Sequence, residues 1–522
     1  MDGPSHQQMR EVHWQRSRMG QSPLPLASRR LDAECHCNRH MVRQSQPMSR
    51  LPPIAIVLGV WAAIYLPALG SFEIKGEEGR RILPAVAMLE TGNFIVPQVG
   101  SEPYLRKPPL VNWLVAASFE LFGRRNEWTA RIPSVLCVLM VAVVFVTVAR
   151  RSLGSDGATI AALIWLTNLG TLEKGRLIEI ESLYVSLCAV AMICWLTWWQ
   201  QKRSPWLTWI VPWIFLGLGW LAKGPIHLLF FYAVVLAVLW QTGRWRDLIH
   251  PAHFVGFLVM LAIFAAWAIP FMQMNESATV MSKWSGQFAG RVTGEFFHAN
   301  VWITALPRAL GYFLPWLLVT PLIRFSRLRD DSERKLAWAL AWSTGVPLII
   351  SNLIPGAAPR YSLPVLTPFC WLLGMVFARD AFARVAFLNR LGRPLWPRAA
   401  RLFIGLTVAI GLIGFPVAAI ASKHRQKVKN IADQINSAVP ANETLYAVRP
   451  NYQPFFFYIH GPITYVDRVA ELPYETHYFL VLPNDEEVAA RSEQWLPRRA
   501  RPVLRAKDYR NQTVILFVVG PS

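Results

Sequence analysis

Stretches of about 20 mostly apolar residues recur along this chain, and short segments rich in arginine and lysine separate them. As a helix, a run of that length crosses the ~30 Å hydrocarbon core of a bilayer. The candidate spans are 53–72, 131–149, 156–171, 183–199, 205–222, 225–241, 252–271, 308–323, 335–354, 361–379 and 401–421. Of the 522 residues, 53% are hydrophobic and only 16% are charged. A soluble domain of this size needs more polar surface. The sequence therefore predicts a multi-span helical membrane protein.

The formal net charge of +21 would point to nucleic acid in a soluble protein. Here the cations sit in short segments between apolar runs, the pattern of topology determinants. Arg43 and Arg50 precede the first run, which places the N-terminus in the cytoplasm. Alternating sides from there, the inner loops carry Arg150 and Arg151, Lys202 and Arg203, Arg244 and Arg246, the run from Arg324 to Lys335, and the stretch from Arg379 to Arg401. Each is basic, as the positive-inside rule requires. Eleven spans put residues 422–522 outside, where a helix-like stretch (423–438), the strand-like runs ETLYAVRP, FFFYI, PITYVD, YFLVLP and TVILFVVG, and an amphipathic helix over 485–496 predict a small extracytoplasmic α/β domain.

Residues 1–50 are polar, basic and rich in Gln, Arg and Ser, and read as a disordered cytoplasmic tail, with Met41 or Met48 as an alternative start. No secretory signal is evident. The six cysteines form no readable disulfide framework, and the Cys35-His36-Cys37 trio with His40 matches no standard zinc spacing. No P-loop is present, nor a GxGxxG after a strand, so a nucleotide-sugar donor has no support.

The same register gathers charge on the outer face. FEIKGEEGRR (72–81) opens an outer loop over 73–130 that also holds Arg106, Lys107, Arg124 and Arg125, and a second large outer loop covers 273–307. Lys174, Arg176, Glu179 and Glu181 lie at one outer mouth, Lys223 in the short turn before the sixth span, His298 in the second loop, and Arg360 before the tenth span. Ionisable groups at span ends are costly unless they pair or meet water, which marks them as functional candidates. Each alone has a plain reading: Lys223 and Arg360 can snorkel to the interface, and Glu179 and Glu181 can pair with Lys174 and Arg176. The spans carry almost no charge near their centres, which argues against an ion path through the bilayer. Two acidic sites with several cations at an outer surface suit a lipid-linked sugar phosphate: cations hold the phosphate leaving group and a carboxylate serves as general base.

These residues also resemble a known family. GEEGRRILPAVAMLETGNFIVPQVGSEPYLRKPPLVNWL (76–114) resembles the first outer loop of bacterial integral-membrane glycosyltransferases of the aminoarabinose transferase and protein mannosyltransferase group, which have the GT-C fold. KGRLIEIES, AKGP (222–225) and PRYSLPVLTP resemble that family's later segments, in the same order. The resemblance covers about residues 53–380 and implies a GT-C bundle of about 11–13 transmembrane helices. It implies that Glu77 is the catalytic acidic residue, that Glu181 is the second acidic position, and that Arg80, Lys107, Lys223 and Arg360 bind phosphate, with Glu78, Arg81, Arg176 and Tyr361 beside them. Two positions depart from the family pattern. Glu77 stands where Asp is usual, one methylene longer. Arg106 stands where the aminoarabinose branch has an acidic residue of a metal site, which leaves His298 as the remaining candidate ligand, so no metal or other cofactor is assigned.

The expected reaction is an inverting displacement at the periplasmic side of a bacterial inner membrane. A sugar passes from a polyprenyl-phosphate donor, such as undecaprenyl phosphate carries, to lipid A or another glycolipid. Transfer to the Ser or Thr of a secreted protein is the alternative enzyme reading, and a lipid-linked sugar transporter or flippase the alternative class. The short apolar stretch VNWLVAASFELFG is expected to lie along the interface rather than span it.

Overall fold

The computed structural model describes residues 51–522 apart from 294–296, 357, 384–395, 492–498, 508–510 and 521–522. The polar tail over 1–50, with its cysteine and histidine cluster, lies outside the described residues, as do 492–496 of the helix expected over 485–496. The described chain is a bundle of apolar helices with a five-stranded sheet domain at its C-terminal end.

Seven of the described helices are long and apolar enough to cross a membrane: Glu127–Thr167, Ile180–Gln200, Pro205–Ala222, Pro251–Gln273, Asp331–Leu353, Pro359–Ala378 and Arg398–Arg425. An eighth is the pair Ala299–Gly311 and Trp316–Leu322, bent by 83°, where one span over 308–323 was expected. Inside Glu127–Thr167 the helix breaks at Gly154, and the limbs fold back far enough for the Trp165 indole to donate to the Val138 carbonyl at 3.1 Å. The expected runs 131–149 and 156–171 are these two limbs. Two expected spans are shorter than the sequence suggested, Pro53–Tyr65 and His227–Thr242. Thirteen residues reach about 20 Å. The first of these helices stops because Arg176 captures the Ile64 and Pro67 carbonyls, both at 2.6 Å. Orphan carbonyls at a helix end favour such a cationic partner.

Ile180–Gln200 is the centre of the bundle. Its small and aliphatic residues are buried all the way round, so neighbours rather than lipid enclose it. It therefore presents its first turn, with Glu181, as a fixed floor. Arg398–Arg425 is the opposite case, almost wholly exposed along its apolar length.

The first loop folds into a 3₁₀ turn Gly76–Glu78, helix Gly79–Thr91, a small hairpin pairing Gln98–Val99 with Glu102–Pro103, and helix Leu110–Phe122. Helix Leu110–Phe122, which falls on the stretch VNWLVAASFELFG, is too short to count among the membrane-crossing helices. The anchor of the loop is a buried ion pair. Arg131 donates from Nε to Glu78 Oε1 at 2.9 Å and from Nη2 to Glu78 Oε2 at 2.8 Å, and it also holds the Leu69, Phe72 and Glu73 carbonyls.

In the C-terminal domain, helix Lys427–Ala438 buries Val428, Ile431, Ala432 and Ile435, one helical stripe. The sheet order is Ile463–Val466, Leu445–Val448, Tyr478–Val481, Thr513–Gly520, Arg499–Lys507, with the first three parallel and the last two antiparallel additions. Phe479 and Phe517 are direct cross-strand partners with rings 5.2 Å apart. Two expectations are corrected here. FFFYI is a 3₁₀ turn, Pro454–Tyr458, which buries Phe455 and Phe456 instead of alternating faces. RARPVLRAK, not expected as a strand, is the edge strand Arg499–Lys507. Its arginines and Pro502, which sits at a register shift, suit an edge and mask the apolar signal.

Candidate active site

A cavity of about 360 Å³ lies at the end of the bundle that faces the sheet domain. Its wall is assembled from four stretches far apart in the chain: Glu77, Arg80, Arg81, Tyr104, Arg106 and Lys107 from the first loop; Glu179, Ile180 and Glu181 from the start of the central helix; Lys223; and Gly356, Arg360 and Tyr361. Eight of the ten residues singled out from the sequence, Glu77, Glu181, Arg80, Arg81, Lys107, Lys223, Arg360 and Tyr361, meet at this one place.

The floor is a charge triad. Glu181 Oε1 accepts from Lys223 Nζ at 3.2 Å and from Arg360 Nε at 3.1 Å. The carboxylate is buried, so two cations are held side by side by one anion at a fixed point of the most enclosed helix. Lys223 ends helix Pro205–Ala222, and the next residue, Gly224, has φ +132°, a conformation L side chains rarely adopt. That sharp turn aims Lys223 inward, where its ammonium also lies 4.5 Å from the Tyr361 ring centroid and 4.9 Å from that of Tyr184.

The opposite wall is the N-terminal turn of the first-loop helix. Arg80 Nη1 donates to both Glu77 oxygens at 3.2 and 3.1 Å, and the Glu77 carboxylate is 42% exposed, open to the cavity. Arg81 Nη1 donates to the Tyr104 hydroxyl at 3.2 Å. Beside the cavity, Lys174 pairs with Glu179 at 3.3 Å and with Glu173 at 2.9 Å. Burial raises the Glu179 carboxyl above the usual range against the pull of Lys174. Burial opposes the Lys174 charge as well, but Glu179 and Glu173 outweigh it and hold that ammonium above its ordinary value.

Two residues expected at the site are elsewhere. Glu78 faces away from the cavity into its pair with Arg131, and the Ile178 amide donates to it at 3.1 Å, so it braces the loop from behind. Arg176 is buried against the Phe415 ring at 3.8 Å and ends the first helix. Burial pulls its guanidinium down to about 10, still charged at neutral pH. His298 caps the helix Ala299–Gly311 and is not among the cavity-lining residues. Tyr104, in YLRKPPL, carries no signal in the sequence; Glu179, one of the outer-face candidates, lines the cavity and also pairs with Lys174. Among the described residues no three His, Cys, Asp or Glu side chains converge as a metal would need. With Arg80, Arg106 and Lys107 in the wall, the residues present do not fit a divalent ion.

A family model described as dolichyl-phosphate-mannose-protein mannosyltransferase matches residues 106–269. Curated relatives include undecaprenyl phosphate-alpha-4-amino-4-deoxy-L-arabinose arabinosyl transferase 2 of Pseudomonas fluorescens, 25% identical over 70% of this chain and 66% of the relative. The corresponding transferase of Erwinia tasmaniensis is 28% identical over 55% of this chain and 52% of the relative. The chain thus spans between about half and just under two thirds of the length of these relatives. Among solved structures, ArnT from Cupriavidus metallidurans bound to undecaprenyl phosphate superposes with a TM-score of 0.67 at 18% identity, covering 89% of this chain and 97% of that one. Its apo state gives 0.65. The superposition shows that the chain has the GT-C fold, a helical membrane bundle with a C-terminal sheet domain, and its sequence is similar to the matched family segment and to the curated aminoarabinose transferases.

Proposed function

We propose that the protein transfers a sugar from a polyprenyl-phosphate donor to a glycolipid acceptor at the outer face of a bacterial inner membrane, by a single inverting displacement. The observation that carries this reading is the convergence of Glu77, Arg80, Lys107, Glu181, Lys223 and Arg360 on one cavity. Six cations (Arg80, Arg81, Arg106, Lys107, Lys223, Arg360) face three carboxylates (Glu77, Glu179, Glu181) there, leaving room for an anionic phosphate. The names of the curated relatives support a polyprenyl-phosphate-linked sugar as donor, and the basic inner loops support the outward orientation.

In the reaction the acceptor oxygen attacks the anomeric carbon as Glu77 takes its proton. The bond from that carbon to the phosphate oxygen breaks, its electron pair stays on the phosphate, and polyprenyl phosphate leaves. Lys223 and Arg360, already aligned by Glu181, and Arg80 and Lys107 across the cavity stabilise the growing negative charge without reorganising. Glu181 faces the positive charge that develops on the sugar ring. Transfer to a protein hydroxyl is a second reading, favoured by the description of the matched family segment.

The test compares a deletion strain carrying wild type or Glu77→Gln by mass spectrometry of envelope glycolipids and polyprenyl phosphates. Wild type alone should remove an accumulated polyprenyl-phosphate sugar and restore one sugar mass to a glycolipid. Unchanged glycolipids with a sugar missing from a secreted protein would favour the second reading. Near-normal activity of Glu77→Gln would remove Glu77 as the base.

A further inference from the structure

The cavity wall is backed by the C-terminal domain. The ring of Tyr452 lies under the Arg80 guanidinium, 3.8 Å from its carbon to the ring centroid. Tyr452 opens a short segment that docks onto the first loop residue by residue. Pro454 packs on Gly79 so closely that a Cβ there would sit 3.0 Å from the proline Cγ. Phe457 stacks on Phe119. The Tyr458 hydroxyl donates to Glu127 Oε1 at 3.1 Å and accepts from the Ile74 amide at 2.7 Å.

The contact is reinforced on both sides. Glu73 accepts from the Val428 and Lys429 amides at 2.8 and 3.2 Å, capping the domain's first helix from outside, and the Lys429 ammonium pairs with Glu127 at 2.6 Å. The first-loop hairpin reaches the same domain, where the Ser101 hydroxyl donates to Asp467. That hairpin leads straight into Tyr104, Arg106 and Lys107. Both parts of the first loop that supply cations are therefore seated on the C-terminal domain.

Arg80 needs that seat. Its pair with Glu77 joins two partly exposed side chains three residues apart on one turn, an arrangement that fixes a long arginine weakly. An aromatic face at stacking distance removes most of the remaining freedom and leaves the N–H groups not used by Glu77 for a ligand. We propose that Tyr452 is a positioning residue of the phosphate clamp, holding Arg80 toward the cavity, so that the C-terminal domain is a working part of the catalytic site. The proposal rests on the phosphate-binding reading of the cavity given above.

The experiment uses the full-length protein in lipid nanodiscs and undecaprenyl phosphate as the probe. Tyr452→Leu should weaken binding about tenfold, while Tyr452→Phe, which keeps the ring, should stay within about twofold of wild type. Both should melt close to the wild-type temperature. In an Arg80→Gln background Tyr452→Leu should cost nothing further, because the group it positions is gone. Wild-type binding by Tyr452→Leu, or an equal loss in both backgrounds, would overturn the positioning role. Wild type binding no better than Arg80→Gln would instead overturn the phosphate reading, and this inference with it.

Discussion

Replacing Glu78 separates bracing from binding. The Glu78 and Arg131 side chains are 3% and 2% exposed, joined by two charge-assisted hydrogen bonds of 2.9 and 2.8 Å. Removing one member of a buried pair costs about 3–5 kcal/mol, because the other charge stays behind. The two deletions should differ. Glu78→Gln leaves Arg131 with the Leu69, Phe72 and Glu73 carbonyls, so its cost should sit near the lower end of that range. Arg131→Met leaves the Glu78 carboxylate with only the Ile178 and Lys75 amides and frees three carbonyls, which places it near the upper end. Glu78→Leu with Arg131→Met removes both charges and should cost less than either single change, because no charge is left buried without its partner. Thermal unfolding of the purified protein in detergent, followed by size-exclusion fluorescence, gives the order: wild type above the double variant, then Glu78→Gln, then Arg131→Met. A Glu78→Gln protein that melts like wild type but binds undecaprenyl phosphate poorly would refute the reasoning and return Glu78 to the binding site.

Three further outcomes follow from the same geometry. Lys223→Met should raise the donor KM about 10- to 100-fold, the value of a charge-assisted hydrogen bond to phosphate, with a smaller change in melting, because Glu181 keeps Arg360; an unchanged KM in steady-state kinetics would contradict the clamp. Gly224→Ala should cost about 1–3 kcal/mol, since alanine is strained at φ +132°, and should lower activity by displacing Lys223; equal melting curves would show that the turn relaxes freely. Glu73→Ala uncaps helix Lys427–Ala438 and should cost about 1–2 kcal/mol; hydrogen exchange at Val428 and Lys429 should speed up, and unchanged protection there would rule out the cap.

Much of the site could be read from local pattern. Glu77, Arg80 and Lys107 stand in a loop whose charge runs against the inside rule, and Lys223 and Arg360 are cations at the ends of apolar runs, where solvation demands a partner or water. Adjacency misled at Glu78 and Arg176. Glu77 and Glu78 are neighbours in sequence, yet a turn sends one carboxylate to the cavity and the other to Arg131, 53 residues away. Arg176 sits within five residues of Glu181 but serves carbonyls more than 100 residues back. Tyr452 carried no signal, because its meaning lies wholly in a contact with Arg80.

By itself the sequence determined that the chain is a bundle of membrane helices and which charges gather at one end. Those properties follow from the solvation of each segment taken alone, which composition and period reveal. Only the tertiary structure decided which cation meets which carboxylate, where the first helix ends, and that the C-terminal sheet domain backs the cavity wall. Such pairings depend on the packing of segments hundreds of residues apart, and no local preference of either partner encodes them.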